Sequence, residues 1–404
     1  MWAILIFTLT YLGVAIGRIP GLMLDRTGIA LLGAIAMVVC GAVGVGRAVA
    51  SIDVPTILLL YALMIVSAQL RLGGFYTRIA RRITVWCVQP RLFLLICMGI
   101  SAVLSAILAN DIICLAFTPV LAYALLGAGL NPMPFLLGLA VASNIGSAAT
   151  IIGNPQNMLI GQIGRLSFSA FTAWCSPPAL MALTGSYFII VRIYRNAWST
   201  ASNPAHEVPQ PVLPVFNRWQ STKGLAAATA LVALFFTSVP RELAAIGIAG
   251  VLLCSRKMKS RHIIELIDWH LLTLFCALFV VVEGISAAQV PQWAMTMLAG
   301  SNIDVQHPLV LTAVSTLLSN MVSNVPATML LVRFLDSAQP QQWYILALSS
   351  TFAGNLITIG SIANLIVIEQ ARNFGIGISF KTHAKTGLAV TGWSLLVLVA
   401  WIYV

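Results

Sequence analysis

Charge is scarce in this chain, and acid is scarcest. Asp and Glu together number 11 and Lys and Arg 22 among 404 residues, 8% in all, while 59% of the chain is hydrophobic. A soluble fold of this length has too little interior for that much apolar surface, so an ordinary water-soluble domain is excluded and a polytopic membrane protein is expected. The net charge of +11 does not signal a nucleic-acid partner. The basic residues sit in short clusters between apolar runs, as topology signals do.

Cysteine is sparse and unordered. The seven residues Cys40, Cys87, Cys97, Cys114, Cys175, Cys254 and Cys276 are scattered, with no CxxC pair, and read as small core residues. His206, His262, His270, His307 and His383 form no ligand spacing such as HExxH, and no nucleophile elbow is present. No enzyme, metal centre or resident cofactor is therefore expected. Met1 to Gly17 lacks a basic n-region and a small-x-small cleavage site, and reads as a first spanning helix.

What is present is a succession of apolar runs, at 2–17, 27–46, 54–70, 92–126, 134–163, 170–191, 224–239, 242–255, 269–290, 308–335, 342–368 and 386–404. Two, 92–126 and 308–335, are long enough for re-entrant hairpins. Arg192 to Lys223, with Pro204, Pro209, Pro211 and Pro214, is an exposed linker in this reading. With the N- and C-termini outside, all of the 22 Lys and Arg except Arg47, Arg165, Arg241 and Arg333 fall in cytoplasmic loops. The approach to the first hairpin is Arg-rich, from Arg71 to Arg91, whereas its counterpart from Ser286 to Pro308 has neither Lys nor Arg. The hairpins thus enter from opposite faces, which makes the chain an all-α protein of two inverted-topology repeats with broken helices. The expected division is a first helix over 1–26, repeats over 27–195 and 224–404, and a cytoplasmic linker over 196–223.

Polar residues interrupt four of these runs. The stretch from Ser143 and Asn144 through Gly146, Thr150, Gly153, Asn154 and Asn157 breaks one, and that from Asn355 through Thr358, Gly360, Ser361 and Asn364 breaks another. The hairpin turns hold Ser105, Asn110 and Asp111, then Ser319, Asn320, Ser323 and Asn324. An offset of 214 carries Ser105 and Asn110 onto Ser319 and Asn324; one of 207 carries Gly153 and Asn157 onto Gly360 and Asn364. Backbone in a bilayer must satisfy its own hydrogen bonds unless protein or a wet cavity covers the break. Symmetric broken segments are the sequence pointer to a secondary transporter's binding site.

Such turns offer helix N-termini to an anion and Asn, Ser, Thr and carbonyl oxygens to a small cation. Glycines at 146, 153, 354 and 360 let backbone approach a ligand. A lone Asn or Ser in a membrane helix is ordinarily an interhelical hydrogen-bond partner; two symmetric pairs of clusters favour a site. Sodium is placed on Asn110, Asn144, Asn324 and Asn355. Three acids fall inside runs, where an ionised one costs about 2.5–3.5 kcal/mol. Asp111 is either the ion-coupling carboxylate or a cap on the returning half-helix. Glu283 either pairs with a basic group or sits at a domain contact, and Glu369 reads as a surface partner of Arg372. Arg333 either neutralises an anion or snorkels to the outer face.

At these residues the chain resembles the ion transporter superfamily of arsenical-pump permeases, citrate-type transporters, sodium/proton antiporters and divalent anion–sodium symporters, over residues 27 to 404. The resemblance rests on Asn110-Asp111 with Phe117-Thr118-Pro119, Asn144-Ile145-Gly146 through Gly153-Asn154-Pro155-Gln156-Asn157, Ser323-Asn324-Val325-Pro326, and Gly360-Ser361 through Asn364. It implies an elevator-type homodimer in a bacterial inner membrane, moving a small inorganic or organic anion with Na+ or H+ as the coupling ion. Sodium/proton antiport and arsenite or antimonite efflux are the alternatives. Gly-Asn-Pro-Gln-Asn stands where many relatives have Gly-Asp-Pro-Pro-Asn, and Asn-Asp stands where the anion–sodium symporters have Ser-Asn-Thr. Both departures leave the coupling ion open.

Overall fold

The computed structural model describes residues 2–17, 21–199, 213–300, 304–336 and 338–404. The linker segment 200–212, with Pro204, Pro209 and Pro211, lies outside these residues, as does the topology residue Arg18. The described residues are almost wholly helical. In order come α1 Trp2–Ile16, α2 Arg26–Val39, α3 Val45–Ala50, α4 Val54–Leu72, α5 Phe75–Ile83, α6 Pro90–Ile107, α7 Asn110–Gly127, α8 Met133–Ser147, α9 Pro155–Ile163 and α10 Phe168–Ile193. Then follow α11 Arg218–Phe235, α12 Arg241–Leu253, α13 Ser260–Ile264, α14 Trp269–Ala287, α15 Val290–Gly300, α16 Pro308–Val322, α17 Asn324–Leu331, α18 Pro340–Ala353, α19 Ile362–Arg372 and α20 Phe380–Ile402.

The sequence marks where these helices begin. Asp25, Asp53 and Asp268 precede α2, α4 and α14, and each accepts a hydrogen bond from the N–H three residues on, at 2.8, 2.8 and 2.9 Å. Each such cap stabilises its helix by about 1 kcal/mol. Proline occupies the first positions of α4, α6, α8, α9, α16 and α18, where its missing N–H costs nothing. One boundary differs from the apolar pattern: α11 starts at Arg218, ahead of the run that opens at Gly224. Asn217 caps it by accepting from Gln220 N at 3.1 Å, and the buried Gln220 side chain accepts from Gln69 Nε2 at 2.7 Å.

Burial is inverted relative to a soluble protein. Leu9, Phe188, Leu388 and Leu396 stand outward at 61 to 67% exposure, while Ser143, Asn154, Asn157 and Asn355 are wholly buried. Lipid outside and polar side chains inside account for that pattern. Six described helices, α4, α6, α7, α10, α14 and α20, are long and apolar enough to cross a bilayer.

Two helices form the centre. Every residue of α8 from Pro134 to Ser147 is buried, as is every residue of α18 from Gln342 to Ala353, so both are enclosed on all sides and not striped. Around them α6 lies on α8 and α16 on α18, α7 packs on α19 and α17 on α9, and α10 packs along α20. Outside this group α4 packs on α11 and α12, and α14 on α1 and α2.

Candidate functional site

Four chain breaks converge. The α6–α7 hairpin turns at Leu108 and Ala109, and the α16–α17 hairpin at Ser323; α8 opens into α9 over 148–154, and α18 into α19 over 354–361. Between them lies a cavity of about 20 Å³ lined by Asn110, Asp111, Pro155, Gln156, Ser323, Asn324, Val325, Ser361 and Ile362. Each of these residues sits at the N-terminal end of α7, α9, α17 or α19. A helix start carries unpaired N–H groups and about half a positive charge, so four of them bias the cavity toward a negative guest. Asp111, in the first turn of α7, is the only carboxylate among the described lining residues. Among the described residues no Lys or Arg lines it.

Asn144 is the hub of the surrounding network. Its Nδ2 donates to Asn355 Oδ1 at 2.9 Å and to Asn364 Oδ1 at 3.2 Å, and its Oδ1 accepts from Ser361 Oγ at 2.9 Å and Asn110 Nδ2 at 3.3 Å. Ser143 Oγ donates to the Asn110 carbonyl at 3.0 Å and lies 2.9 Å from Ser105 Oγ. Asn154 caps α9 by accepting from Asn157 N at 2.9 Å, and its Nδ2 donates to Ser147 Oγ at 2.9 Å and to Thr351 Oγ1 at 3.3 Å. Thr150 Oγ1 donates to the Ala106 carbonyl at 2.5 Å, joining the break to the first hairpin.

The two breaks are built alike. Asn157 Nδ2 donates to the carbonyls ten and seven residues before it, Ser147 at 3.2 Å and Thr150 at 2.9 Å. Asn364 Nδ2 does the same to Gly354 at 2.7 Å and Ile357 at 3.2 Å. A Cβ on Gly153 would run into the Ser147 backbone, so that turn needs glycine, while one on Gly360 would press more lightly on Gly354 O at 3.1 Å. The hairpin tips dock on these glycines: Asn110 N donates to Gly153 O at 3.3 Å, and the Asn324 amide, oriented by its neighbours, donates to Gly360 O at 2.9 Å and Ser350 O at 3.0 Å.

Other residues singled out from the sequence play different parts. Gly146 lets α8 pass against the Ala102 backbone. Ser319 is buried without a partner among the described residues, and Asn320 donates to Thr316 O at 2.9 Å, leaving Oδ1 unpaired. Ser323 holds the second turn at φ 75°, a strained region for a residue with a side chain. Thr358, half-buried in the 3-10 turn Thr358–Gly360, lies outside the cavity lining. The oxygens of Asn144 and Asn355 are already committed to N–H donors, so a sodium ion on the four asparagines would have to displace those bonds. Glu283 pairs with Arg47 at 2.7 Å, Glu369 with Arg372 at 3.5 Å, and Arg333 is exposed.

Sequence reasoning passed over three members of the network: Ser147, Thr351 and Gln156, whose Nε2 donates to Thr351 Oγ1 at 3.3 Å. For Thr351 the available signal was the offset of 207 that relates the breaks, which carries Asn144 onto it.

Similarity to known proteins agrees with this architecture. The chain is 28% identical over 413 residues to the 46 kDa membrane protein of Mycobacterium leprae, covering 96% of this chain and 95% of that one. It is 27% identical over 444 residues to the silicon efflux transporter LSI3 of Oryza sativa subsp. japonica, covering 92% and 91%. The crystal structure of the Alcanivorax borkumensis YdaH transporter shares the fold, with a TM-score of 0.59 at 13% identity over 99% of this chain and 96% of that chain. The family model described as citrate transporter matches residues 3–353. The chain is therefore an integral membrane protein that belongs to the citrate transporter family (CitMHS) and, with it, to the ion transporter superfamily.

Proposed function

We propose that the chain is a secondary active transporter that moves a small inorganic or organic anion, coupled to Na+ or H+. The observation that carries this reading is the convergence of four helix N-termini, those of α7, α9, α17 and α19, on one cavity. Their summed dipoles attract an anion without a basic side chain, and Asp111 supplies a carboxylate for the accompanying cation or proton. The matching bonds of Asn157 and Asn364 support two inverted repeats, over 27–195 and 224–404, sharing the site. In the same proposal the repeats work as an elevator in a homodimer, in a bacterial inner membrane with both termini outside.

At about 20 Å³ the cavity admits one water or a bare ion. A polyatomic solute needs the hairpin tips to part, which ties binding to a conformational change. A second reading, efflux of a neutral hydroxylated acid such as arsenite, draws on the lack of Lys or Arg in the lining and on the silicon efflux relative. Thermal unfolding of the purified protein with sulfate, phosphate, citrate, dicarboxylates or arsenite tests both. Stabilisation by one anion that disappears in Asn144→Ala supports the first; stabilisation by arsenite alone supports the second.

A further inference from the structure

On one face of the molecule α12 is fastened to the end of α9. Arg241, the first residue of α12, donates through Nη2 to the Gly161 carbonyl at 2.6 Å and to Gln162 Oε1 at 3.3 Å. Glu242 Oε2 accepts from Gln162 Nε2 at 3.2 Å. A guanidinium on a helix's last carbonyls meets the negative end of its dipole, and charge-assisted bonds are the strong ones.

The same pair of positions begins α2. An offset of 215 carries Arg26 onto Arg241, Thr27 onto Glu242, and Asp53 onto Asp268, and the last two cap α4 and α14 alike. Yet the Arg26 guanidinium has no hydrogen bond or ion pair among the described residues. It borders a vestibule of about 450 Å³ that reaches Ser323, Val325 and Ile362, three residues of the small cavity. The site is thus approached from the Arg26 side, while the Arg241 side is fastened.

The offset of 207 that relates α9 to α19 carries Gly161 onto Ile368 and Gln162 onto Glu369. Gln162 both accepts and donates, and it meets a donor in Arg241 and an acceptor in Glu242. Glu369 only accepts, and its counterparts Arg26 and Thr27 both donate. The pairing chemistry is complete on each side.

We propose that Arg241 and Arg26 are alternating latches. Arg241 holds α12 on the end of α9 while the vestibule is open, and Arg26 with Thr27 takes the Ile368 carbonyl and the Glu369 carboxylate when it closes. The proposal rests on the reading of the chain as an alternating-access transporter.

The test uses the whole protein in lipid nanodiscs, with the native cysteines replaced and one cysteine at Leu274, which is 7% exposed and lines the vestibule. The rate of modification by a membrane-impermeant thiol reagent reads the open fraction. Arg241→Ala lowers that rate, Arg241→Lys lowers it less, and Arg26→Ala and Glu369→Gln hold it at or above the parent rate. Between the two arms the open-to-closed ratio differs by about tenfold or more, as loss of a charge-assisted bond implies. An unchanged rate in Arg241→Ala, or a fall in all four variants, overturns the latches. Flux of sulfate, phosphate, citrate, dicarboxylates or arsenite, measured with the same purified variants reconstituted into liposomes, separates the two ideas. Opposed shifts without flux keep the latches and remove the transport reading, and flux without opposed shifts removes the latches alone.

Discussion

Asn144 on α8 donates a hydrogen bond of 2.9 Å to Asn355 in the break after α18, across 211 residues of sequence. With Asn110, Ser361 and Asn364 on the same amide, one side chain joins the first hairpin and both broken helices. Replacing it leaves several buried polar groups unpaired, at about 1–3 kcal/mol each. Asn144→Ala is predicted to abolish solute flux and to lower the thermal unfolding midpoint of a protein that still inserts. Flux in proteoliposomes, beside thermal unfolding in detergent, checks this; unimpaired flux counts against the hub.

The turn glycines should differ in their tolerance of a methyl group. A Cβ on Gly153 meets the Ser147 backbone, whereas on Gly360 its nearest contacts are 3.1 and 3.2 Å away. Gly153→Ala is predicted to cost about 1–3 kcal/mol, the overpacking range, and Gly360→Ala less. Comparing the two unfolding midpoints decides the order.

Asp111 is the only carboxylate among the described residues lining the cavity, so coupling is predicted to pass through it. Asp111→Asn should keep exchange of solute for solute while losing accumulation driven by an ion gradient. Counterflow and net uptake, measured on one preparation, distinguish that outcome from general loss of activity.

Arg47 and Glu283 form an ion pair of 2.7 Å, with Arg47 65% exposed and Glu283 17% exposed. Solvent screening limits such a pair to less than about 1 kcal/mol. Glu283→Gln should therefore leave ion coupling intact and shift stability little. A coupling defect matching that of Asp111→Asn would move Glu283 into the transport machinery.

The breaks and hairpins were legible because Asn, Ser, Gly and Pro interrupt otherwise apolar runs, and a bilayer tolerates such interruption only over a site or a covered turn. Asn110, Asn144, Asn157, Asn324 and Asn364 followed from that logic. Thr351 and Gln156 were harder to read, since a Thr or Gln beside an apolar run reads as an ordinary interhelical partner; in the structure Asn154 and Gln156 each donate to Thr351 Oγ1 at 3.3 Å, which ties it to the break. The α11 start was missed because the buried Gln69–Gln220 bond overrides the polarity of that stretch. Arg47 stands 236 residues from Glu283, and no local pattern announces such a pair.

The most direct test of the central claim is ion movement in liposomes holding the purified protein. Internal pH is followed under an imposed sodium gradient, with sulfate, phosphate, citrate, dicarboxylates or arsenite added one at a time. Ion movement that appears only with one added anion, and vanishes in Asn144→Ala, is the predicted result. Sodium-driven proton movement without any solute, lost in Asp111→Asn, would contradict an anion site at the four helix N-termini and make the chain a cation antiporter.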